Sequence, residues 1–140
     1  MNVAIVYESL TGHTKRAAEL IAEELRGSGV AATAFPTSRV DYQALADADL
    51  VVVGTWTDGV FVVGQRPGRA GRLRQMPVLG GKRCLVYCTY AINPGQVLAK
   101  MTKILEARGA TVLGGMTLRR NELAAGAKDF VARLLEAIPA

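Results

Sequence analysis

The chain has 140 residues, half of them hydrophobic and 21% charged, with Lys and Arg exceeding Asp and Glu by 17 to 12, a net charge of +5. That is one domain's worth of sequence with ample material for a core, and it excludes disordered, collagen-like and coiled-coil classes. No apolar run approaches the roughly 20 residues of a membrane helix. Met1-Asn2-Val3 carries neither a basic stretch nor a cleavage site, and two cysteines, Cys84 and Cys88, do not make a disulfide framework. The expectation is a soluble cytoplasmic protein with one domain over 1–140. Its basic excess serves either solubility or an anionic partner. Few aromatics and dispersed basic residues argue against nucleic acid.

Val3-Ala4-Ile5-Val6-Tyr7 is a short β-branched run that predicts a first strand. From Thr14 to Arg26, residues Ala18, Ile21, Ala22 and Leu25 recur at i, i+3, i+4 and i+7, one buried helix face, and Gly27 and Gly29 stop it. Val30 to Phe35 predicts a weaker strand ended by Pro36, and Asp41 to Asp47 a short helix. Leu50-Val51-Val52-Val53 is the clearest strand, closed by Gly54. The Gly/Arg-rich stretch from Thr55 to Gly81 predicts a helix around Arg69–Gln75, and Arg83 to Cys88 a fourth strand. Asn93-Pro94-Gly95-Gln96 reads as a helix start, Asn as N-cap and Pro in the first position. Val97, Met101, Ile104 and Leu105 give that helix its apolar face, and Gly109 ends it. Ala110 to Leu118 predicts a fifth strand, and Asn121 caps a last helix with Leu123, Ala127, Phe130 and Leu134 on one side.

The alternation of β and α patterns, with the first, third and fourth strands almost continuously hydrophobic, predicts an α/β fold: a three-layer, doubly wound, five-stranded parallel sheet. Ligands of such sheets bind beyond the carboxyl ends of the strands, so three loops matter. The first, Glu8-Ser9-Leu10-Thr11-Gly12-His13-Thr14, puts hydroxyls and a glycine at a helix start. Free backbone N–H groups and the helix dipole there make a phosphate cradle, or else the same residues only cap the helix. The loop matches neither the P-loop nor the Gly-x-Gly-x-x-Gly pattern. The second loop, Gly54-Thr55-Trp56-Thr57-Asp58-Gly59, carries the sole tryptophan; the third, Thr89-Tyr90-Ala91-Ile92-Asn93-Pro94, carries another aromatic at the same edge. Two aromatics flanking a phosphate cradle suggest a planar ring held between them.

On these residues the chain resembles the flavodoxin family. Tyr7 to Thr14 match that family's first phosphate loop, of the type Ser/Thr-x-Thr-Gly-x-Thr, and the element order matches along the whole length, with the last strand running straight into the last helix as in the short-chain branch. The resemblance implies strand order 2-1-3-4-5 and noncovalent FMN. Its phosphate would lie on Ser9, Leu10, Thr11, Gly12, His13 and Thr14. Its ring would lie between Thr55, Trp56, Thr57, Asp58 and Gly59 on one side and Thr89, Tyr90 and Asn93 on the other. Trp56 and Tyr90 are the candidate stacking residues it implies, and the Asp58–Gly59 peptide would meet flavin N5.

The resemblance implies an electron-transfer protein whose flavin cycles between oxidised, semiquinone and hydroquinone states, with redox proteins as partners, a monomer and no catalytic acid or base. The rival readings are an FMN-dependent oxidoreductase acting on a quinone or porphyrin-like substrate, and a flavin-free binding module with a basic face. The family's carriers are usually acidic around the flavin. Here Arg66, Arg69, Arg72 and Arg74 follow instead, either a solvated helix face or a docking surface for an acidic partner. Val60 to Val63 is either buried or an apolar rim. His13 is the sole histidine, which excludes a His-based triad and a multi-histidine metal site. Cys84 and Cys88, four apart on one strand and about 13 Å from each other, are too distant to bridge and read as core thiols. A phospho-receiver domain would need an acidic cluster and a phosphorylatable Asp where Glu8 and Gly54-Thr55 stand.

Overall fold

Strands hydrophobic at every position must be covered on both faces, and the structure covers them. A computed structural model describes residues 1–58, 65–77 and 79–137. In chain order it contains β1 (Asn2–Tyr7), α1 (His13–Gly27), β2 (Ala31–Pro36), a short 3-10 turn (Thr37–Arg39) and α2 (Tyr42–Asp47). There follow β3 (Leu50–Asp58), β4 (Arg66–Pro67), α3 (Ala70–Arg74), β5 (Arg83–Tyr90), α4 (Val97–Ala107), β6 (Thr111–Arg119) and α5 (Leu123–Ala137). The sheet order is β2-β1-β3-β5-β6, with every one of these pairs parallel. This is the expected 2-1-3-4-5 order, because the additional two-residue β4 lies off that path and pairs antiparallel with the end of β3.

Alternate residues of each strand feed two cores. Ile5, Leu50, Val52 and Tyr87 meet Ile21, Leu25, Phe130 and Leu134 from α1 and α5. On the other face Val6, Val51, Val53 and Val86 meet Leu45, Leu73, Met101 and Leu105 from α2, α3 and α4. Each such side chain contributes about 1.5–3 kcal/mol by leaving water, so the central strands are the most strongly held part of the chain. Cys84 and Cys88 are free and buried in the second core, as the sequence suggested. Gly54 and Tyr87 are direct partners in the β3–β5 register. The ring of Tyr87 occupies the space a side chain at position 54 would need.

Several local expectations are corrected. Gly54 does not close β3, which runs on to Asp58, so Trp56 belongs to a strand rather than to a loop. The extension is held by parallel pairing of Trp56 with Thr89 and by the β4 hairpin. Tyr90 likewise ends β5. Asn93 does not cap α4: its side chain accepts from the N–H of Gly95 at 2.9 Å in a preceding turn, and Gln96 holds the N-cap position. α5 opens at Leu123, not beside Asn121. Asp41 does cap α2, accepting from the N–H of Ala44. Val60 to Val63 lie outside the described residues.

Candidate functional site

The carboxyl ends of β1, β3 and β5 converge on one edge because those three strands are adjacent in the sheet. Directly after β1 the chain passes Ser9 to Gly12 and enters α1. Gly12 sits at the N-cap with φ 97°, a left-handed conformation that favours glycine. The N–H of Lys15 donates to Ser9 Oγ at 3.3 Å and the N–H of Arg16 to the Gly12 carbonyl at 2.9 Å. The amides of residues 9 to 14 have no acceptor among the described residues. They stand at the positive end of a 15-residue helix. That is a donor array for an anion.

Beside it lies a cleft of about 150 Å³ lined by Leu10, Thr11, His13, Trp56, Thr57 and Thr89, and also by Tyr90, Ala91 and Arg120. The tryptophan has a fixed backing. A Cβ at Gly68 would come within 2.1 Å of the indole, and the Arg69 guanidinium lies 5.6 Å from its centroid. Arg69 itself has φ 47°. Arg119 stands 5.9 Å from the ring centre of Tyr90. Both aromatics thus carry an arginine, and Arg120 lines the cleft directly. The carboxylates nearby are paired. Glu8, only 3% exposed, accepts from Arg69 at 3.1 Å, from Arg72 at 3.2 Å and from the Thr37 hydroxyl. Asp58 pairs with Arg66 at 3.2 Å.

The structure thus brings seven of the residues singled out by sequence into one cleft: Leu10, Thr11, His13, Trp56, Thr57, Thr89 and Tyr90. Others stand next to it with different partners. The buried hydroxyls of Thr14 and Thr89 lie 3.0 Å apart, and the Thr14 carbonyl accepts from Tyr87 Oη at 2.9 Å. Thr55 Oγ1 donates to the Gly68 carbonyl at 2.7 Å, which fixes the backing of Trp56. Asn93 is engaged in its own turn, and Gly59 lies outside the described residues. Two of the four arginines of the 66–74 segment are taken by Glu8 and a third by Asp58. Sequence reasoning placed Glu8 and Ala91 in the right loops without giving either a role, and missed Gly68 and Arg120. The one available signal was a carboxylate placed directly after a fully buried strand, which requires a cationic partner.

Neither cysteine is set up as a nucleophile. Burial pushes the Cys88 thiol up to about 11, with the neighbouring Thr57 side chain pulling slightly the other way. Cys84 is likewise raised to about 11 by burial, opposed by Lys82. Both remain neutral thiols at physiological pH. Among the described residues no cluster of His, Cys, Asp and Glu could hold a metal, and no helix is long and apolar enough to cross a membrane.

A parallel sheet covered by helices on both faces, with a helix start rich in free amides and an aromatic cleft at its switch point, defines an α/β domain of the doubly wound class. Residues 5–130 match the family model described as Flavodoxin, and the chain belongs to the flavodoxin family. No curated protein matches it by sequence. Solved structures share the fold at low identity. A cysteine-to-serine variant of the flavodoxin from Pseudomonas aeruginosa is 19% identical with a TM-score of 0.73, the match covering 98% of each chain. Oxidised flavodoxin 1 from Bacillus cereus is 17% identical with a TM-score of 0.72, covering 99% of this chain and all of that one. The two-electron reduced flavodoxin of Megasphaera elsdenii is 20% identical with a TM-score of 0.68, covering 91% and 98%.

FMN is the cofactor this membership implies, and the residues present fit it. The amides of residues 9 to 14 suit a phosphate, and Trp56 and Tyr90 suit a flat ring. The buried Thr57 hydroxyl, whose one neighbour of note among the described residues is the Cys88 thiol, supplies a polar group at the cleft wall.

Proposed function

We propose that the chain is an electron carrier that binds FMN noncovalently and takes it through its oxidised, half-reduced and fully reduced states on behalf of a redox partner protein. The observation that carries this reading is the convergence of unsatisfied amides at residues 9–14 with Trp56 and Tyr90 on one sheet edge. The flavin, when bound, supplies the redox chemistry. The chain's own part is to grip the phosphate through Ser9, Leu10, Thr11, Gly12, His13 and Thr14, and to bracket the ring through the ends of β3 and β5. Thr55 serves indirectly, by tying Gly68 in place behind Trp56.

The cationic setting distinguishes this site. Arg69, Arg119 and Arg120 stand at or behind the ring site, while Glu8 and Asp58 are each neutralised by arginine. A flavin gains negative charge on full reduction, and cations nearby favour that charge. The second one-electron potential is therefore less negative than in a site ringed by carboxylates. The partner presents an acidic face toward the half-exposed Arg69 and Arg72 of the 66–74 segment.

The test is a visible spectrum of the purified protein, FMN titration, and stepwise anaerobic reduction with potentials recorded. Tight binding with an accumulating half-reduced flavin supports the carrier, and Arg120→Gln then lowers the second potential. A strongly depressed second potential in the unaltered protein overturns the electrostatic reading. Reduction straight to the two-electron state points instead to an enzyme acting on a quinone-like substrate, and absence of FMN binding to a flavin-free binding module.

A further inference from the structure

A second cleft, of about 720 Å³ against about 150 Å³ for the aromatic one, lies on the other core's side between α3 and α4 and shares no residue with the cleft at Trp56 and Tyr90. Five cations line it: Arg66, Arg74, Lys100, Lys103 and Arg108. No Asp or Glu does. Between them lies an apolar floor of Pro67, Ala70 and Ile104.

Such a collection is unfavourable in isolation. Lys100 and Lys103 are three apart on α4, where like charges repel. Among the described residues the sole carboxylate paired with any of the five is Asp58, on Arg66. Lys100 Nζ donates to the Gln65 carbonyl at 2.6 Å, and Arg108 donates through Nη2 to the Met76 carbonyl. Those carbonyls orient the two cations without neutralising them. Arg108 Nε–H is buried with no acceptor among the described residues. An ordinary basic surface spreads its charges apart; here they face one hollow of the size that small organic ligands occupy.

We propose that the α3–α4 cleft is a binding site for an organic polyanion of nucleotide size, its phosphates held by Arg74, Lys100, Lys103 and Arg108 and its less polar body resting on Pro67, Ala70 and Ile104. Concavity favours this occupant over a protein surface, which would meet a flatter face. The site stands apart from the flavin reading and does not depend on it.

Calorimetric titration tests it on the intact protein, with FMN added to saturation so that the phosphate cradle is occupied, and with chelator present. The probes are ATP, inorganic tripolyphosphate and a poly-glutamate peptide. The expected result is saturable one-to-one binding of ATP, tighter than tripolyphosphate. Arg74→Gln with Lys103→Gln then weakens ATP roughly tenfold or more, since each removes a charge-assisted contact. Lys128→Gln with Arg133→Gln, an equal loss of charge on exposed positions of α5, leaves it unchanged. All four positions are exposed, so the variants keep the fold, and circular dichroism confirms that. No ATP binding, or equal weakening by both pairs, overturns the proposal. Tripolyphosphate binding as tightly as ATP overturns the role of the apolar floor. Capture of poly-glutamate without ATP overturns it in favour of an acidic protein segment.

Discussion

Gly68 lies flat against the indole of Trp56. A Cβ at position 68 would sit 2.1 Å from Trp56 Cε2, and the Gly68 N–H donates to the Trp56 carbonyl at 2.8 Å. The absence of one side chain therefore sets where the ring stands in the cleft. Gly68→Ala forces the indole outward or breaks the hairpin, an overpacking cost of about 1–3 kcal/mol. The expected outcome is FMN affinity reduced at least severalfold with a shifted tryptophan emission, read by fluorescence titration. Unchanged affinity and emission would show that the ring tolerates displacement.

Gly54 is under a tighter constraint. A Cβ there would fall 2.0 Å from Cζ of Tyr87, whose ring is fully buried and whose hydroxyl is tied to the Thr14 carbonyl. Neither strand can move, because both lie in the middle of the sheet. Gly54→Ala is expected to destabilise the fold by about 3 kcal/mol or more. Denaturant unfolding measures this directly, and the paired change Gly54→Ala with Tyr87→Leu recovers part of the loss.

The Glu8 cluster joins the first loop to the arginine-rich segment. Its carboxylate is buried, while Arg69 and Arg72 keep 39% and 50% of their side chains exposed. Removing the arginines leaves an uncompensated buried charge, whereas removing Glu8 leaves two cations that water solvates. Arg69→Gln with Arg72→Gln is expected to cost about 2–3 kcal/mol, and Glu8→Gln about 1 kcal/mol. A double-mutant cycle by chemical denaturation checks that asymmetry. Equal costs would place the strength in the exposed half of the pair.

The two thiols predict an alkaline limit. Burial raises each from 9.0 to about 11, so the folded state holds these protons more tightly than the unfolded chain. That contribution is complete below pH 9 and is lost as pH rises through about 11, because the unfolded thiols ionise first. Tyr87, also raised by burial, adds to the same trend. Thermal melts from pH 8 to 11 should show a falling midpoint. Cys84→Ala with Cys88→Ala should lower the starting midpoint and flatten the slope.

The sequence by itself determined the layers and the hydroxyl-rich loop that opens the first helix, while the strand order came through the family resemblance of that loop. Unbroken runs such as Leu50–Val53 need cover on both faces, and the helix spacing from Thr14 to Arg26 needs burial on one. Both are local patterns. It also located most of the cleft, since a parallel sheet with this order sends the ends of its first, third and fourth strand patterns to one edge. What tertiary structure alone decided was pairing across long separations. Trp56 lies in a strand because Thr89 and the Arg66–Pro67 hairpin hold it there. Asn93 spends its side chain on a turn rather than a cap. Arg69 and Arg72 turn inward because Glu8, some sixty residues earlier, would otherwise be buried alone. The α3–α4 cleft joins Arg66 and Arg74 to Lys100, Lys103 and Arg108. No spacing within either segment records that meeting, because it is set by how two helices pack on one sheet face.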